Sequence, residues 1–274
     1  MTGEGPTSTN RRAGIWRWLT VGVASFAAWL VVNLLLLVAV PLLFPFSLFD
    51  RASGYRRLRR AGSAFLRGFF GGYLSLICLH RFAELPPADR GRPGEPRLFV
   101  ANHRSWLDAL LVLAYLPRVR VPVNASYVKV PLLGLAIRWM GCVPLDRGSP
   151  AAMVEGIDRL RAILERGGSL AVFPEGARSR GRELGRFTDV FFRLAIEARA
   201  PVVPLLVHAD EPYLTPNGSY LTARRATWRI RLLDEIETDP RDRAADLARR
   251  SRKVIGAALD TLDRGALDRK TPSG

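Results

Sequence analysis

Between Trp18 and Phe49 the chain runs for 32 residues without a charged side chain, and no other feature of its 274 residues constrains the fold as strongly. The first 23 residues of the run, Trp18 to Val40, also lack proline. As one helix they would extend roughly 34 Å at about 1.5 Å per residue, against a bilayer hydrocarbon core of roughly 30 Å. The sequence therefore predicts a membrane-anchoring segment over residues 18–40. That segment is transmembrane or, if the chain bends at Pro41 and Pro45, re-entrant, because the whole run is too short for two spans of about 20 residues each. A cleaved signal peptide fits poorly, since its apolar region is about 7–15 residues long and ends in a small-x-small site. Arg11, Arg12 and Arg17 precede the run, and Arg51, Arg56, Arg57, Arg59 and Arg60 follow it. Trp16, Trp18 and Trp29 supply interfacial aromatics, and the excess of basic residues places the C-terminal side in the cytoplasm.

A second apolar stretch, Phe65 to Leu79, is interrupted by Arg67 and Gly71-Gly72. It reads either as an amphipathic segment lying in the membrane interface or as a core helix of the domain that follows. The formal net charge is +16 with 48% hydrophobic residues, a combination that excludes a disordered basic tail and leaves nucleic acid and an anionic membrane surface as partners. Only three of the 41 basic residues are lysines. This suits forked recognition of phosphate or carboxylate and equally suits an arginine-rich codon bias. Cys78 and Cys142 form no metal-ligand spacing with His80, His103 or His208, so neither a zinc site nor a disulfide framework is expected.

Residues 1–17 read as a basic tail, 18–80 as the anchoring helices, 81–264 as one α/β domain and 265–274 as a C-terminal tail. Glu84 to Pro96, rich in Pro, Gly and charge, reads as a linker or surface loop. Strands are predicted at Arg97–Ala101, Val121–Tyr127, Ser169–Phe173, Val202–Val207 and Thr227–Leu233. Helices are predicted at Trp106–Leu116, Leu132–Met140, Ala151–Arg166 and Val190–Arg199. This alternation predicts a mixed, largely parallel sheet flanked by helices. Arg241–Asp263 reads as an amphipathic helix with a solvated charged face.

Polar clusters follow the C-terminal ends of the apolar strands, where open α/β sheets bind their ligands. In LFV-ANHRSWLDALL, Asn102 and His103 come just before a helix start, and Ser105 with Asp108 forms a capping-box pattern. On one helix, five residues rotate by roughly 500°, which would hold His103 and Asp108 about 140° apart. With Ser105 as the cap, His103 instead precedes the helix and Asp108 leans back towards it. A carboxylate on one imidazole nitrogen fixes the tautomer and leaves the other nitrogen as a general base. The helix start also offers backbone N–H groups to developing negative charge. A second cluster, PEGARSRG, combines Glu175 and Gly176 with Arg178, Ser179, Arg180 and Arg182 in a loop that allows bidentate contact with phosphate. Asp146 and Arg147 follow a short strand, and His208 in an apolar strand reads as structural.

NHRSWLD, VPLDRG, FPEGARSR and APVVPLLV, in this order, resemble the four motifs of the glycerolipid acyltransferases, and in particular the bacterial 1-acyl-sn-glycerol-3-phosphate acyltransferases. The resemblance covers roughly residues 80–235 and includes LGLAIRWMG before the second motif. It implies His103 as general base with Asp108 as its partner, and substrate binding by Asn102, Ser105, Arg147, Glu175, Gly176 and Arg178. It implies no bound cofactor. The co-substrate would be an acyl-CoA or acyl carrier protein thioester, and the other partners a lysolipid acceptor and membrane lipids, without nucleic acid. Ala177 stands where the family usually has Thr, and Thr188 where Lys is common, which leaves the acceptor head group open, a lyso-ornithine lipid included. A serine hydrolase using Ser105 or Ser179 lacks the G-x-S-x-G elbow. A non-enzymatic nucleic-acid binder lacks any recognisable module.

Overall fold

The computed structural model of the protein describes residues 8–53, 55–76, 80–86, 94–179, 183–210 and 226–268. Its elements in chain order begin with α1 (Ser8–Asp50), a 3-10 turn Arg51–Ser53, α2 (Arg56–Gly68), a π-helical stretch Phe69–Tyr73 and α3 (Leu74–Leu76). The domain continues through β1 (His80–Glu84), β2 (Leu98–Ala101), α4 (Leu107–Tyr115), β3 (Val119–Arg120), β4 (Pro122–Asn124), α5 (Ala125–Val128), α6 (Leu133–Trp139) and β5 (Val143–Leu145). It closes with α7 (Pro150–Glu165), β6 (Ser169–Val172), α8 (Val190–Glu197), β7 (Val202–Ala209), β8 (Ala226–Leu232) and α9 (Ala244–Asp268).

Among the described residues a six-stranded sheet has the order β1-β8-β7-β2-β6-β3, and β4 pairs with β5 in a two-stranded sheet. The pairings are parallel except for β7 with β8, so the sheet is mixed and largely parallel, as expected. Side chains alternate across it with a period of two. Leu98 and Val100 of β2, Leu170 and Val172 of β6, and Val202 and Leu206 of β7 face a core closed by Leu160 and Leu164 of α7, Phe192 of α8 and Ile255 and Leu259 of α9. Phe99, Ala171, Val203 and Leu205 face the opposite core, with Leu111 of α4.

That second core also takes Phe70 and Leu74, which are 1% and 2% exposed. The described part of Phe65–Leu79 thus takes the core alternative, although Phe65 itself stays exposed. Arg67 Nη1 donates to Ala114 O at 2.8 Å, satisfying a carbonyl at the end of α4. Residues 77–79 lie outside the described residues.

Three expectations need correction. Helix α1 runs on to Asp50 through Pro41 and Pro45, so the chain neither stops at Val40 nor turns back at the prolines. Each proline removes one i→i−4 bond, a loss that an apolar helix tolerates when neighbouring elements hold it. Leu36, Val40 and Leu43 of α1 pack with Leu58 of α2 and Trp139 of α6. The stretch long and apolar enough to cross a membrane is Trp29–Asp50, with a mean hydropathy of 2.4. Secondly, Val121–Tyr127 is not one strand. Pro122 starts β4, and Asn124 Oδ1 accepts from Ser126 N at 2.9 Å, capping α5. Thirdly, the predicted linker begins inside a strand, because β1 lies at the sheet edge and Glu84 holds Arg231 with two bonds of 2.7 and 2.8 Å.

Candidate active site

Where β2 ends, the backbone leaves the sheet but its hydrogen bonding continues through a side chain. Asn102 Nδ2 donates to Val207 O at 2.8 Å, and Val207 N donates to Asn102 Oδ1 at 2.9 Å. Asn102 is fully buried and has both polar atoms engaged, so it fixes the start of the loop and is not free to touch substrate. Ser105 Oγ likewise accepts from Leu107 N at 3.1 Å, inside the first turn of α4, and the residue is buried.

Asp108 unites the two roles that the sequence offered it. Its Oδ2 accepts from Ser105 N and Arg104 N, each at 2.7 Å, and meets His103 Nδ1 at 3.0 Å. Only the carboxylate half of the expected capping box is made, because Ser105 Oγ takes Leu107 N and not Asp108 N, and the histidine is held by the same Asp108 oxygen. Backbone N–H groups only donate, so Oδ2 is an acceptor, and Nδ1 must carry the proton in this contact. The Nε2 lone pair of His103 is then free to act as a base. The ring, 20% exposed, stacks on Phe173 with centroids 4.3 Å apart.

The amides of Arg104, Ser105, Leu107 and Asp108 are thereby engaged within the turn, Asp108 N with Ser105 O. They do not supply the oxyanion donors expected of the helix start.

The loop after β6 clamps the same histidine from its other side. Glu175 Oε1 accepts from His103 N at 2.9 Å, and Ser179 N donates to His103 O at 2.7 Å. Glu175 Oε2 accepts from Gly185 N at 2.8 Å and from Ser179 Oγ. Glu175 was expected to hold substrate, but its carboxylate is taken up as a brace between two loops. Gly176, with φ 71°, occupies the left-handed region, and its carbonyl accepts from Arg147 Nη2, which brings the second motif onto the third. The Arg178 guanidinium lies 4.2 Å above the Trp106 ring, which in turn meets Tyr127 edge-on at 5.3 Å. Arg178 Nη1 is buried and has no hydrogen-bond partner among the described residues. Arg180 and Arg182 lie outside the described residues. Among the described residues no group of three or more His, Cys, Asp or Glu side chains is arranged to hold a metal ion.

A family model described as Acyltransferase matches residues 82–208. The lyso-ornithine lipid O-acyltransferase of Pseudomonas aeruginosa is 31% identical over 181 residues, which cover 61% of this chain and 69% of that protein. The chain belongs to the acyltransferase family. Another relative of this acyltransferase-family chain is a chloroplast 1-acyl-sn-glycerol-3-phosphate acyltransferase of Brassica napus, 32% identical over 136 residues, 50% of this chain and 38% of that protein. The matched part thus spans well under half the length of that plant relative. The crystal structure of a 1-acyl-sn-glycerophosphate acyltransferase from Thermotoga maritima superposes with a TM-score of 0.72 at 17% identity, covering 90% of this chain and 97% of that one. It shares the fold.

In this acyltransferase-family chain another histidine, His208, is separate from the His103–Asp108 pair. His208 is fully buried, with Nε2 3.0 Å from Asp263 Oδ1. Burial pushes its pKa below the ordinary 6.5, against the pull of Asp263, so the folded protein keeps the ring neutral. The unfolded chain takes up a proton near pH 6.5 that the folded chain refuses. Stability is therefore flat in this group above pH 6.5 and falls as the pH drops from there towards the lower folded value. The melting temperature should decline on acidification below pH 6.5, and His208→Gln should flatten that part of the profile. An identical acid slope in the variant would refute the assignment. Trp106, Tyr127, Phe173 and Asp263 were not singled out as functional in the sequence. Of these, Trp106 and Phe173 lie within motifs that were, at the fifth position of NHRSWLD and the first of FPEGARSR.

Proposed function

We propose that the chain transfers a fatty acyl group from a thioester, carried by coenzyme A or acyl carrier protein, to the free hydroxyl of a lysolipid. The acceptor is 1-acyl-sn-glycerol 3-phosphate and the product phosphatidic acid. The observation that carries this reading is the His103–Asp108 pair, with Nδ1 tied down and Nε2 free, beside a loop whose Gly176 carbonyl holds Arg147 and whose Arg178 lies on Trp106. His103 Nε2 removes the hydroxyl proton as the oxygen attacks the thioester carbonyl. The new C–O bond forms, the C–S bond breaks, and the proton passes to the departing thiolate. No covalent enzyme intermediate and no bound cofactor are required. Arg178 and Arg147 hold the acceptor's phosphate, while Asn102, Ser105 and Glu175 hold the loops that position them.

The exposed apolar surface of α1, including Phe26, Trp29, Leu37, Val38 and Leu42, supports membrane anchoring. The arginines that follow it support a domain on the cytoplasmic face of a bacterial inner membrane.

A second acceptor, a lyso-ornithine lipid, is favoured by the Pseudomonas relative and by Thr188, whose hydroxyl donates to Pro174 O at 3.1 Å where a lysine would add charge. Incubating the purified full chain with an acyl donor and a panel of lysolipids, and identifying products by mass, separates the two. Transfer to neither acceptor would overturn the proposal. Trp106→Ala should remove the aromatic face beneath Arg178. At about 0.5–2 kcal/mol for such a contact, acceptor KM should rise about 2- to 30-fold with kcat little changed. An unchanged KM would mean that Arg178 does not bind the acceptor.

A further inference from the structure

Behind the loop that carries His103 lies a cluster of charged and titratable side chains that the acyl-transfer chemistry does not use. Asp263, near the end of α9, divides its carboxylate between two elements. Oδ1 meets Nε2 of His208 on β7 at 3.0 Å, and Oδ2 meets Nη1 of Arg104 at 3.5 Å. Arg104 is the residue after His103, and its own amide donates to Asp108 Oδ2. Arg229, opposite His208 in the β7–β8 register, has a buried Nη1 with no hydrogen-bond partner among the described residues.

We propose that Asp263 is a positioning residue of the active site: through Arg104 it fixes the loop that bears His103, so that the last described helix is part of the catalytic apparatus. This rests on the acyl-transfer reading above.

The physical case has three parts. The loop is tied to β7 by Asn102 and to the loop after β6 through the His103 backbone, and the Arg104 side chain ties it to α9. Arg104 and Asp263 side chains are only 17% and 20% exposed, so their attraction is less screened than that of a surface pair. The Asp263 carboxylate also takes both the Arg104 guanidinium and the buried His208 imidazole, with Arg229 opposite that histidine on β8. Neutralising Asp263 removes the carboxylate that ties the Arg104 side chain to α9 and leaves two guanidinium groups near His208 as like charges, which loosens the Arg104 backbone beside Asp108. A displacement of about 1 Å near a reacting group is enough to lower a rate about 10²-fold.

Five full-length proteins test this: wild type, Asp263→Asn, Arg104→Gln, the double variant, and Asp260→Asn, which alters an exposed carboxylate on the same helix. In acyl transfer Asp263→Asn and Arg104→Gln should each lose about 10- to 100-fold in kcat, with donor and acceptor KM changed less than about twofold. The double variant should fall no further, since both changes break one link, and Asp260→Asn should keep wild-type turnover. In hydrogen exchange of the substrate-free protein, amides of residues 102–108 should exchange faster in either single variant. Wild-type kcat in Arg104→Gln, or losses that multiply in the double variant, would overturn the proposal. If Asp263→Asn does not fold, Arg104→Gln decides by the same two readings. If the wild type transfers no acyl group, the acyl-transfer reading fails, and the exchange comparison still decides whether Asp263 holds the loop.

Discussion

Replacing His103 by alanine is expected to lower turnover by about 10²–10⁴-fold, the range associated with losing a general base, while the protein folds and stays in the membrane. The expectation of an intact fold comes from the contacts. His103 is anchored through its backbone, by its N–H to Glu175 and its C=O to Ser179, and alanine keeps both bonds. The ring itself contributes one hydrogen bond to Asp108 and one face to Phe173. Asp108 Oδ2 still accepts from two backbone amides when the ring is gone, so no buried carboxylate is left unpaired. Turnover within a few-fold of wild type, in a preparation shown by mass to be free of wild-type protein, would remove His103 from the reaction. Loss of the folded protein would refute the claim that its backbone carries the anchoring.

The His103–Asp108 contact was legible because both residues lie within one heptapeptide. The positions of Ser105 and Asp108 at a helix start specify where the carboxylate points, and local backbone chemistry does the rest. Strands β2, β6 and β7 were legible for a related reason: both faces are buried, so each reads as a short apolar run bounded by turn residues. β1 was not, because an edge strand needs no such run. His80-Arg81-Phe82-Ala83-Glu84 gains its order from β8 and from an ion pair with Arg231, far along the chain. Helix α1 passes its prolines because α2 and α6 pack on it, a tertiary effect that no local rule contains.

The same distinction divides the site. Glu175 presents itself in sequence as an acidic residue in a basic loop, which suggests substrate contact. Only the fold brings its two oxygens against His103 N on one side and Gly185 N on the other. Arg178 on Trp106, and Arg104 on Asp263, are likewise pairings between distant segments with no periodicity to announce them.

Asp108→Asn should reduce turnover on the same scale as His103→Ala, about 10²–10⁴-fold, and it should do so by either of two routes. If the new amide presents its oxygen to the loop, the three donors keep an acceptor, but the charge that stabilises the imidazolium formed during proton transfer is gone. If it presents its nitrogen, that group donates to Nδ1 of His103. The ring then carries its proton on Nε2 and has no lone pair there to receive one. Because Asp108 acts through His103, the double variant should be little worse than either single one. Asp108→Ala separates this from the capping role. It removes the acceptor for the amides of Arg104 and Ser105, in a place where Asp108 is 1% exposed and Ser105 4%. At about 1–3 kcal/mol for each buried donor left unsatisfied, the alanine variant should lose about 2–6 kcal/mol of stability. The asparagine variant, with an acceptor still available, should lose less. Denaturant unfolding in detergent micelles measures the difference. Wild-type turnover in Asp108→Asn would break the link between the carboxylate and the base, and wild-type stability in Asp108→Ala would break the link between the carboxylate and the loop.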